Sequence, residues 1–110
     1  MKNLMAVDDA SFDAVVKQPG RTLIEVSGAW CGPCRQMKPI LERLADERAG
    51  RLRVAILDMD EAPTTAASLG VRGAPTFIVF EDGKEIARQI GPAQWDSPAI
   101  VEGLGKIVGR

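Results

Sequence analysis

The 110-residue sequence contains no histidine and no tyrosine, and it has only two cysteines. Without histidine the chain can form neither a Ser-His-Asp triad nor a Cys-His pair, and it offers no imidazole ligand to zinc or haem. Two cysteines are too few for the four ligands of a structural zinc site within one chain. These absences exclude the hydrolase and metal chemistry that depends on imidazole.

The sequence also lacks an excess of charge of either sign and any long apolar run. Its 14 Lys and Arg residues nearly balance its 15 Asp and Glu residues, and the formal net charge is −1 at pH 7. We therefore expect no nucleic-acid partner and no binding to an anionic membrane surface. The longest apolar stretches, such as residues 54–57 and 77–80, are far shorter than the roughly 18 residues of a membrane-spanning helix.

An export signal is not expected either. Asp8 and Asp9 interrupt the apolar stretch at residues 4–7 before a hydrophobic signal core could form. We accordingly predict a cytoplasmic protein. A length of 110 residues corresponds to one domain, at roughly 150 residues per domain, and suffices for a hydrophobic core without metal or disulfide. Residues 1–110 are therefore predicted to form a single domain.

Hydrophobic periodicity predicts a regular alternation of strands and helices. Asp8 or Asp9 is expected to cap the first helix. Asp82-Gly83 indicates a two-residue hairpin turn. In chain order, the predicted elements are a strand at 4–7, a helix that ends before Pro19, a strand at 22–26, a long helix that ends at Gly50, a strand at 52–57, a helix at 62–69, strands at 76–80 and 84–90, and a helix at 95–108.

The predicted order βαβαβαββα places the protein in the α/β class. Strands that are joined through helices run parallel, and the apolar strand at 52–57 is typical of burial on both faces. We therefore predict a central mixed sheet, with parallel strands and a C-terminal antiparallel hairpin, flanked by helices. Functional residues of such sheets lie beyond the carboxyl ends of the strands, where Trp30 and Cys31 follow the strand at 22–26.

Cys31 and Cys34 form a Cys-X-X-Cys motif between this strand and the long helix. At a helix N-terminus, unpaired N–H groups and the positive end of the helix dipole stabilise a thiolate on Cys31. Pro33 suits the first helical turn, where a missing N–H costs nothing. The i, i+3 spacing puts both sulfur atoms on one side of that turn, within reach of a disulfide.

Three other roles of the cysteine pair are less favoured. A structural staple across four residues would contribute only about 2 kcal/mol by loop-closure entropy, against about 3 kcal/mol for a 15-residue loop. A metal site shared between two chains would receive only two ligands from each. Two inert buried thiols are the third alternative. We favour a redox-active dithiol, with no bound metal.

The segment Ala29-Trp30-Cys31-Gly32-Pro33-Cys34 resembles the active-site signature of the thioredoxin family, and the resemblance covers essentially the whole chain. Four further landmarks follow in the family's order. They are Pro39 within the long helix, Arg72-Gly73-Ala74-Pro75-Thr76 with the family's cis-proline, the Asp82-Gly83 turn, and Gly91, which borders the substrate groove. The resemblance implies a thioredoxin-like fold and a protein thiol-disulfide oxidoreductase that reduces protein disulfides.

The resemblance also assigns roles to the matched positions. Cys31 would be the exposed nucleophile and Cys34 the buried resolving thiol of a dithiol-disulfide cycle. Pro75 by itself is expected at a strand start and in the common trans form, whereas the resemblance implies a cis bond. The groove for an extended substrate segment would be formed by Trp30, Gly32, Pro33, Ala74, Pro75, Ile90 and Gly91.

Partners and cofactors are likewise implied by the resemblance. No cofactor would be bound, because the redox-active disulfide itself carries the electrons. These would come from NADPH through a thioredoxin reductase, and the substrates would be disulfide-containing client proteins. The protein would act as a monomer. A thioredoxin-fold oxidant or isomerase, and a non-enzymatic interaction module of the same fold, are the alternatives.

Glu25 is a carboxylate within the apolar strand at 22–26. Taken alone it would be expected to face solvent, as most acidic residues do. The resemblance instead aligns it with the family's buried acid, usually aspartate, which exchanges protons with the resolving cysteine. Two neighbours depart from the family, because Ser27 replaces a tryptophan and Ile56 replaces a common lysine. Without that lysine, burial is predicted to raise the pKa of Glu25.

Overall fold

The computed structural model describes residues 3–90 of the chain. Each of the five predicted strands is confirmed to within one residue at either end. The predicted helix at 95–108 and the predicted groove residue Gly91 lie outside the described residues. The described elements are β1 (Leu4–Val7), α1 (Phe12–Val16), β2 (Arg21–Ser27), α2 (Gly32–Glu47), β3 (Leu52–Asp58), α3 (Pro63–Ser68), β4 (Thr76–Glu81) and β5 (Lys84–Ile90).

The five strands form one mixed sheet in the order β1-β3-β2-β4-β5. β3 pairs in parallel with both β1 and β2, whereas β4 runs antiparallel to β2 and to β5. Asp82 and Gly83, between β4 and β5, both have positive φ, 53° and 89°, as the favoured two-residue hairpin turn requires. The predicted α/β fold class, with parallel strands and a C-terminal antiparallel hairpin, is confirmed.

Apolar side chains cover both faces of the sheet. Leu23 of β2 belongs to the cluster on the α2 face, and Ile24 belongs to the cluster on the opposite face. Because successive strand residues alternate between faces, Glu25 points toward α2, as Leu23 does. The α2-side cluster contains Leu23, Met37, Leu41, Ala45, Leu52, Val54, Phe77 and Val79, and the opposite cluster, which includes residues of α1 and α3, contains Phe12, Val16, Ile24, Ala55, Leu57, Ala66 and Ile78.

The prediction that Asp8 or Asp9 caps the first helix is wrong, because the N-cap of α1 is Ser11, whose side chain makes no capping hydrogen bond. Asp8 Oδ1 accepts the N–H of Ser11 at 2.9 Å, and Ser11 Oγ accepts the N–H of Asp8 at 3.0 Å. This reciprocal pair closes the turn that leads into α1. Asp9 Oδ1 instead accepts the N–H and the O–H of Thr65, at 2.8 Å and 2.7 Å. Since Ala62 has no side chain that could cap α3, Asp9 supplies that cap from a distant loop.

Candidate active site

The cysteine pair lies at the first turn of α2, as the sequence predicts. Cys31 is the N-cap, with an extended backbone, and Pro33 is within the first helical turn. A disulfide joins Cys31 to Cys34, with the two Cα atoms 5.3 Å apart. The N–H of Cys34 is directed at Cys31 Sγ, 3.2 Å away. A helix N-terminal donor therefore stabilises negative charge on Cys31 once the disulfide opens.

The predicted exposure of Cys31 is wrong for this disulfide form. Cys31 and Cys34 are each only 3% exposed. The disulfide and the N–H of Cys34 both draw the sulfur of Cys31 onto the first turn of α2. Exposure consequently does not distinguish the two cysteines here. Their positions on the helix do, because the terminal N–H points at Cys31.

Trp30 lies next to the disulfide, and two residues that sequence reasoning missed hold its indole. The side chain is 59% exposed, and its Nε1 donates to Asp60 Oδ2 at 3.0 Å. Its ring also lies against Gly28, where an added Cβ would come within 2.6 Å of Cε2. Gly28 follows β2 and Asp60 follows β3, so both lie beyond the carboxyl ends of strands. That position is the signal by which they could have been found.

Gly28→Ala is expected to displace the indole of Trp30 while the fold stays intact. The new Cβ would overlap the ring, and an exposed side chain can move away, so the free energy of unfolding should change by about 1 kcal/mol or less. Loss of the Asp60 contact should raise the KM for a client disulfide about threefold, the effect of a hydrogen bond worth well under 1 kcal/mol net.

Trp30 fluorescence, recorded in a Trp95→Phe background, measures this displacement. Gly73→Ala is the matched control, because a Cβ there meets nothing within 4 Å. An unchanged Trp30 spectrum and an unchanged KM in Gly28→Ala would contradict the packing of the indole on Gly28.

The segment before β4 reaches the same end of the sheet as the dithiol. The Ala74–Pro75 peptide bond is cis, as the resemblance implied. Thr76, the next residue, is registered with Val26 of β2 on one side and with Ile90 of β5 on the other. Since β2 ends at this point and leads to the cysteines, the sheet register gathers Pro75 and Ile90 at the dithiol end. Ile90 is 73% exposed there.

Glu25 is completely buried in the middle of β2. Its neighbours across the sheet are Ile56 of β3 and Phe77 of β4, and both are apolar. Neither carboxylate oxygen of Glu25 has a hydrogen-bond partner among residues 3–90. Burial raises the pKa of Glu25 to about 8, because the charged form loses its hydration. The predicted burial and raised pKa are confirmed, and the solvent-facing alternative is wrong.

Glu25 and Cys34 line one cavity between the sheet and α2. Its volume is about 190 Å³, which leaves room for several water molecules. Ser27 and Ile56 also line it. The buried acid and the second cysteine therefore border the same space, and both side chains are almost completely buried beside it.

These features together define a class of protein. A disulfide at a helix N-terminus can accept two electrons and open to a stabilised thiolate. A buried acid and the second cysteine line the same cavity, and a cis-proline segment lies at the same end of the sheet. This combination on a mixed α/β sheet is that of a thiol-disulfide oxidoreductase.

Comparisons with known proteins identify the family. The family model described as Thioredoxin matches residues 3–102. The chain is similar to a thioredoxin of Acidithiobacillus ferridurans, 43% identical over 89 residues that cover 80% of this chain and 82% of the relative. It is also similar to thioredoxins of Rhodospirillum rubrum, 44% identical over 86 residues (77% and 83% covered), and of Staphylococcus aureus strain Mu50 / ATCC 700699, 41% identical over 88 residues (80% and 84% covered). The protein belongs to the thioredoxin family and is a thioredoxin-type protein thiol-disulfide oxidoreductase.

The redox group of such a protein is the disulfide of its own cysteines. Among residues 3–90, no three or more His, Cys, Asp or Glu side chains are grouped so that they could hold a metal ion. In the same part of the chain, no helix combines the length and the apolar character that crossing a membrane demands.

Proposed function

We propose that the protein reduces disulfides of client proteins, with Cys31 as the nucleophile, Cys34 as the resolving thiol and Glu25 as the proton acceptor for Cys34. The observation that carries the proposal is the Cys31–Cys34 disulfide at the first turn of α2, with Cys34 and Glu25 on one cavity. The same observation favours a reaction over a purely structural or interaction role, because a buried, unpaired carboxylate destabilises a fold that has no use for it.

The first step is the attack of the Cys31 thiolate on a client disulfide. A bond forms between Cys31 Sγ and one client sulfur, the client S–S bond breaks, and the departing client thiolate takes a proton from solvent. The N–H of Cys34, directed at Cys31 Sγ in the disulfide form, and the positive end of the α2 dipole favour the thiolate that starts this step.

The second step releases the client. The Cys34 thiol gives its proton to the Glu25 carboxylate, across the shared cavity, and Cys34 Sγ attacks Cys31 Sγ. The Cys31–client bond breaks, the internal disulfide forms, and the client leaves with two reduced sulfurs. Since the pKa of Glu25 is about 8, about one tenth of the molecules hold the ionised base at pH 7. The rate of this step should therefore rise with pH through neutrality.

Client segments are proposed to bind in the groove at this end of the sheet. Trp30, Gly32 and Pro33 form one side, and Ala74, Pro75 and Ile90 form the other, with Gly91 next along the chain. The exposed apolar side chains of Trp30 and Ile90, 59% and 73% exposed, support this assignment, because large apolar groups left in water commonly mark a binding surface.

The reduced form must be restored after each turnover. We propose that NADPH supplies the electrons through a thioredoxin reductase and that the cycle runs in the cytoplasm, where thiols are kept reduced. The relatives named thioredoxin support this source. The proposed partners are therefore a thioredoxin reductase and disulfide-containing client proteins, with the protein itself acting as a single-domain monomer.

A coupled assay tests the proposed direction of electron flow. With NADPH, a thioredoxin reductase and a disulfide-bonded protein, NADPH consumption should depend on this chain and stop with Cys31→Ser. The reduction potential should lie near the value known for thioredoxin, about −270 mV. A potential near −180 or −120 mV, typical of an isomerase or an oxidant, together with no NADPH consumption, would assign the protein to the opposite direction.

A further inference from the structure

A charge on Glu25 has no compensation from the sheet. Its two lateral neighbours, Ile56 and Phe77, are apolar, and its carboxylate oxygens have no hydrogen-bond partner among residues 3–90. Glu25 is also one of the residues that line the cavity shared with Cys34, and its carboxylate oxygens lie buried beside that space. Any group that stabilises the ionised carboxylate must therefore act across this cavity.

Three other charged side chains line the cavity, and they differ in what they can offer. They are Arg35 and Lys38, both on α2, and Asp58 at the end of β3. The guanidinium of Arg35 donates to the carbonyl of Ala29 at 2.7 Å, so it is held over the active-site loop. The Asp58 carboxylate is negative and accepts N–H groups of the turn that follows β3. The charge of Asp58 would oppose a second carboxylate, and the guanidinium of Arg35 is directed at the loop and not at Glu25.

Lys38 is differently placed. It follows Cys34 by four residues in α2, so both side chains leave the same side of the helix, and both line the cavity that Glu25 lines. Lys38 is exposed, and it is not among the described residues that form a hydrogen bond or an ion pair. Its ammonium, on a flexible four-carbon stem, is free to enter a polar space.

We propose that Lys38 is a positioning residue for the second exchange step: its ammonium extends into the cavity from α2 and stabilises the ionised carboxylate of Glu25 when Cys34 must lose its proton. This inference rests on the proposed role of Glu25. Lys38 would supply a cation to the buried Glu25 from α2. The neighbouring position on β3 cannot supply one, because it is occupied by the apolar Ile56.

The physical consequence is a larger fraction of ionised Glu25 at neutral pH. Burial alone holds the pKa of Glu25 at about 8, and a cation nearby lowers the pKa of a carboxyl group. Removing the cation should therefore reduce the ionised fraction of Glu25 and slow client release.

Lys38→Gln tests the inference directly, with two readouts on the full chain. Carbon-detected NMR titration of the Glu25 carboxyl should show a midpoint above that of wild type, with the ionised fraction at pH 7 lowered about threefold. Single-turnover release of a disulfide-bonded reporter protein should slow about threefold at pH 7, and its pH profile should move upward. Lys38→Arg keeps the charge and should restore both readouts. Lys84→Gln, at the opposite end of the sheet, is the charge-matched control and should change neither.

The outcomes separate this inference from the proposed function. A Glu25 midpoint that is the same in Lys38→Gln and wild type overturns the role of Lys38, even if Glu25→Gln still impairs release. A midpoint that rises in Lys38→Gln but not in Lys84→Gln supports it. If release then stays at the wild-type rate, the link between Lys38 and Glu25 holds, and the proposed use of Glu25 as the base for Cys34 fails.

Discussion

In a Cys34→Ser variant, Cys31 is expected to stay attached to client proteins as a mixed disulfide. The first exchange step needs the Cys31 sulfur alone. The second step needs a sulfur at position 34 that attacks Cys31 Sγ, and a serine hydroxyl does not carry out thiol-disulfide exchange. Turnover should therefore fall on the order of a hundredfold or more, as for loss of a reacting group, while the covalent adduct accumulates.

Mass spectrometry of the non-reduced adduct measures this trapping. Cys31→Ser is the matched control, since it removes one sulfur from the same disulfide and should give no adduct. In reduced wild type, Cys31 should also be alkylated faster than Cys34. Equal alkylation rates, or adducts formed by Cys31→Ser, would contradict the assigned roles.

The thiolate of Cys31 accounts for a small part of the expected reactivity. A thiol with a pKa of 8.5 is about 3% ionised at pH 7, and one with a pKa of 7, the value known for thioredoxin, is 50% ionised, roughly a sixteenfold gain. The lower nucleophilicity of the more acidic thiol cancels about fivefold, which leaves about threefold. The larger share of the reactivity must come from the groove that aligns a client and from the nearby resolving residue Cys34. The Cα atoms of Cys31 and Cys34 are 5.3 Å apart.

Glu25→Gln is expected to remove a pH dependence of stability as well as to slow client release. The pKa of Glu25 is raised from its ordinary value of 4.5 to about 8 in the folded protein. Between these two values the native state keeps a proton that the unfolded state releases. The free energy of unfolding should therefore fall by about 1.4 kcal/mol for each pH unit in that range.

The sign and the window follow from the two pKa values. Below pH 4.5 the carboxyl group is protonated in both states, so its contribution to stability is fully present. As pH rises to about 8 this contribution is lost, about 5 kcal/mol in all. The Gln side chain has no such proton, so the difference between variant and wild type should grow with pH. Urea unfolding of the disulfide form at pH 5, 6, 7 and 8 measures it. Identical pH slopes would mean that Glu25 is ionised in the native protein.

Client release should slow roughly tenfold to a hundredfold in Glu25→Gln at pH 7, because loss of a general base typically has an effect of this size or larger. Ile56→Lys provides a control in the opposite direction. It places an ammonium beside Glu25 across the sheet register, so it should lower the pKa of Glu25 and reduce the pH slope of stability. An unchanged release rate in Glu25→Gln would show that Cys34 loses its proton to another acceptor.

The order of elements and the position of the dithiol were determined by local sequence. Alternating and apolar runs predicted each strand to within one residue at either end, because strand formation here depends on which residues pack against both faces of the sheet. The Asp82-Gly83 pair predicted the hairpin turn, since these residues tolerate the positive φ that they adopt. Cys31 at the start of α2 followed equally from local rules of helix termini.

Other features depended on contacts between residues far apart in the chain. Asp9 caps α3 through Thr65, and Trp30 is held by Asp60; in both cases a local pattern names the donor or the acceptor but not its distant partner. The expected exposure of Cys31 failed for a related reason, because the disulfide draws the sulfur onto the helix. Local sequence describes a side chain, whereas the packing of other elements determines what it touches.

Glu25 has one property that local sequence predicts and others that only the tertiary structure determines. Its place in β2 was predictable from the pattern of the strand, but the same pattern alone favoured a solvent-facing carboxylate. Its burial arises because β3, β4 and α2 close around that face of β2. Its raised pKa, and the cavity that joins it to Cys34 and Lys38, exist only after that closure, because loss of hydration is a property of the assembled core and not of the residue or its neighbours in sequence.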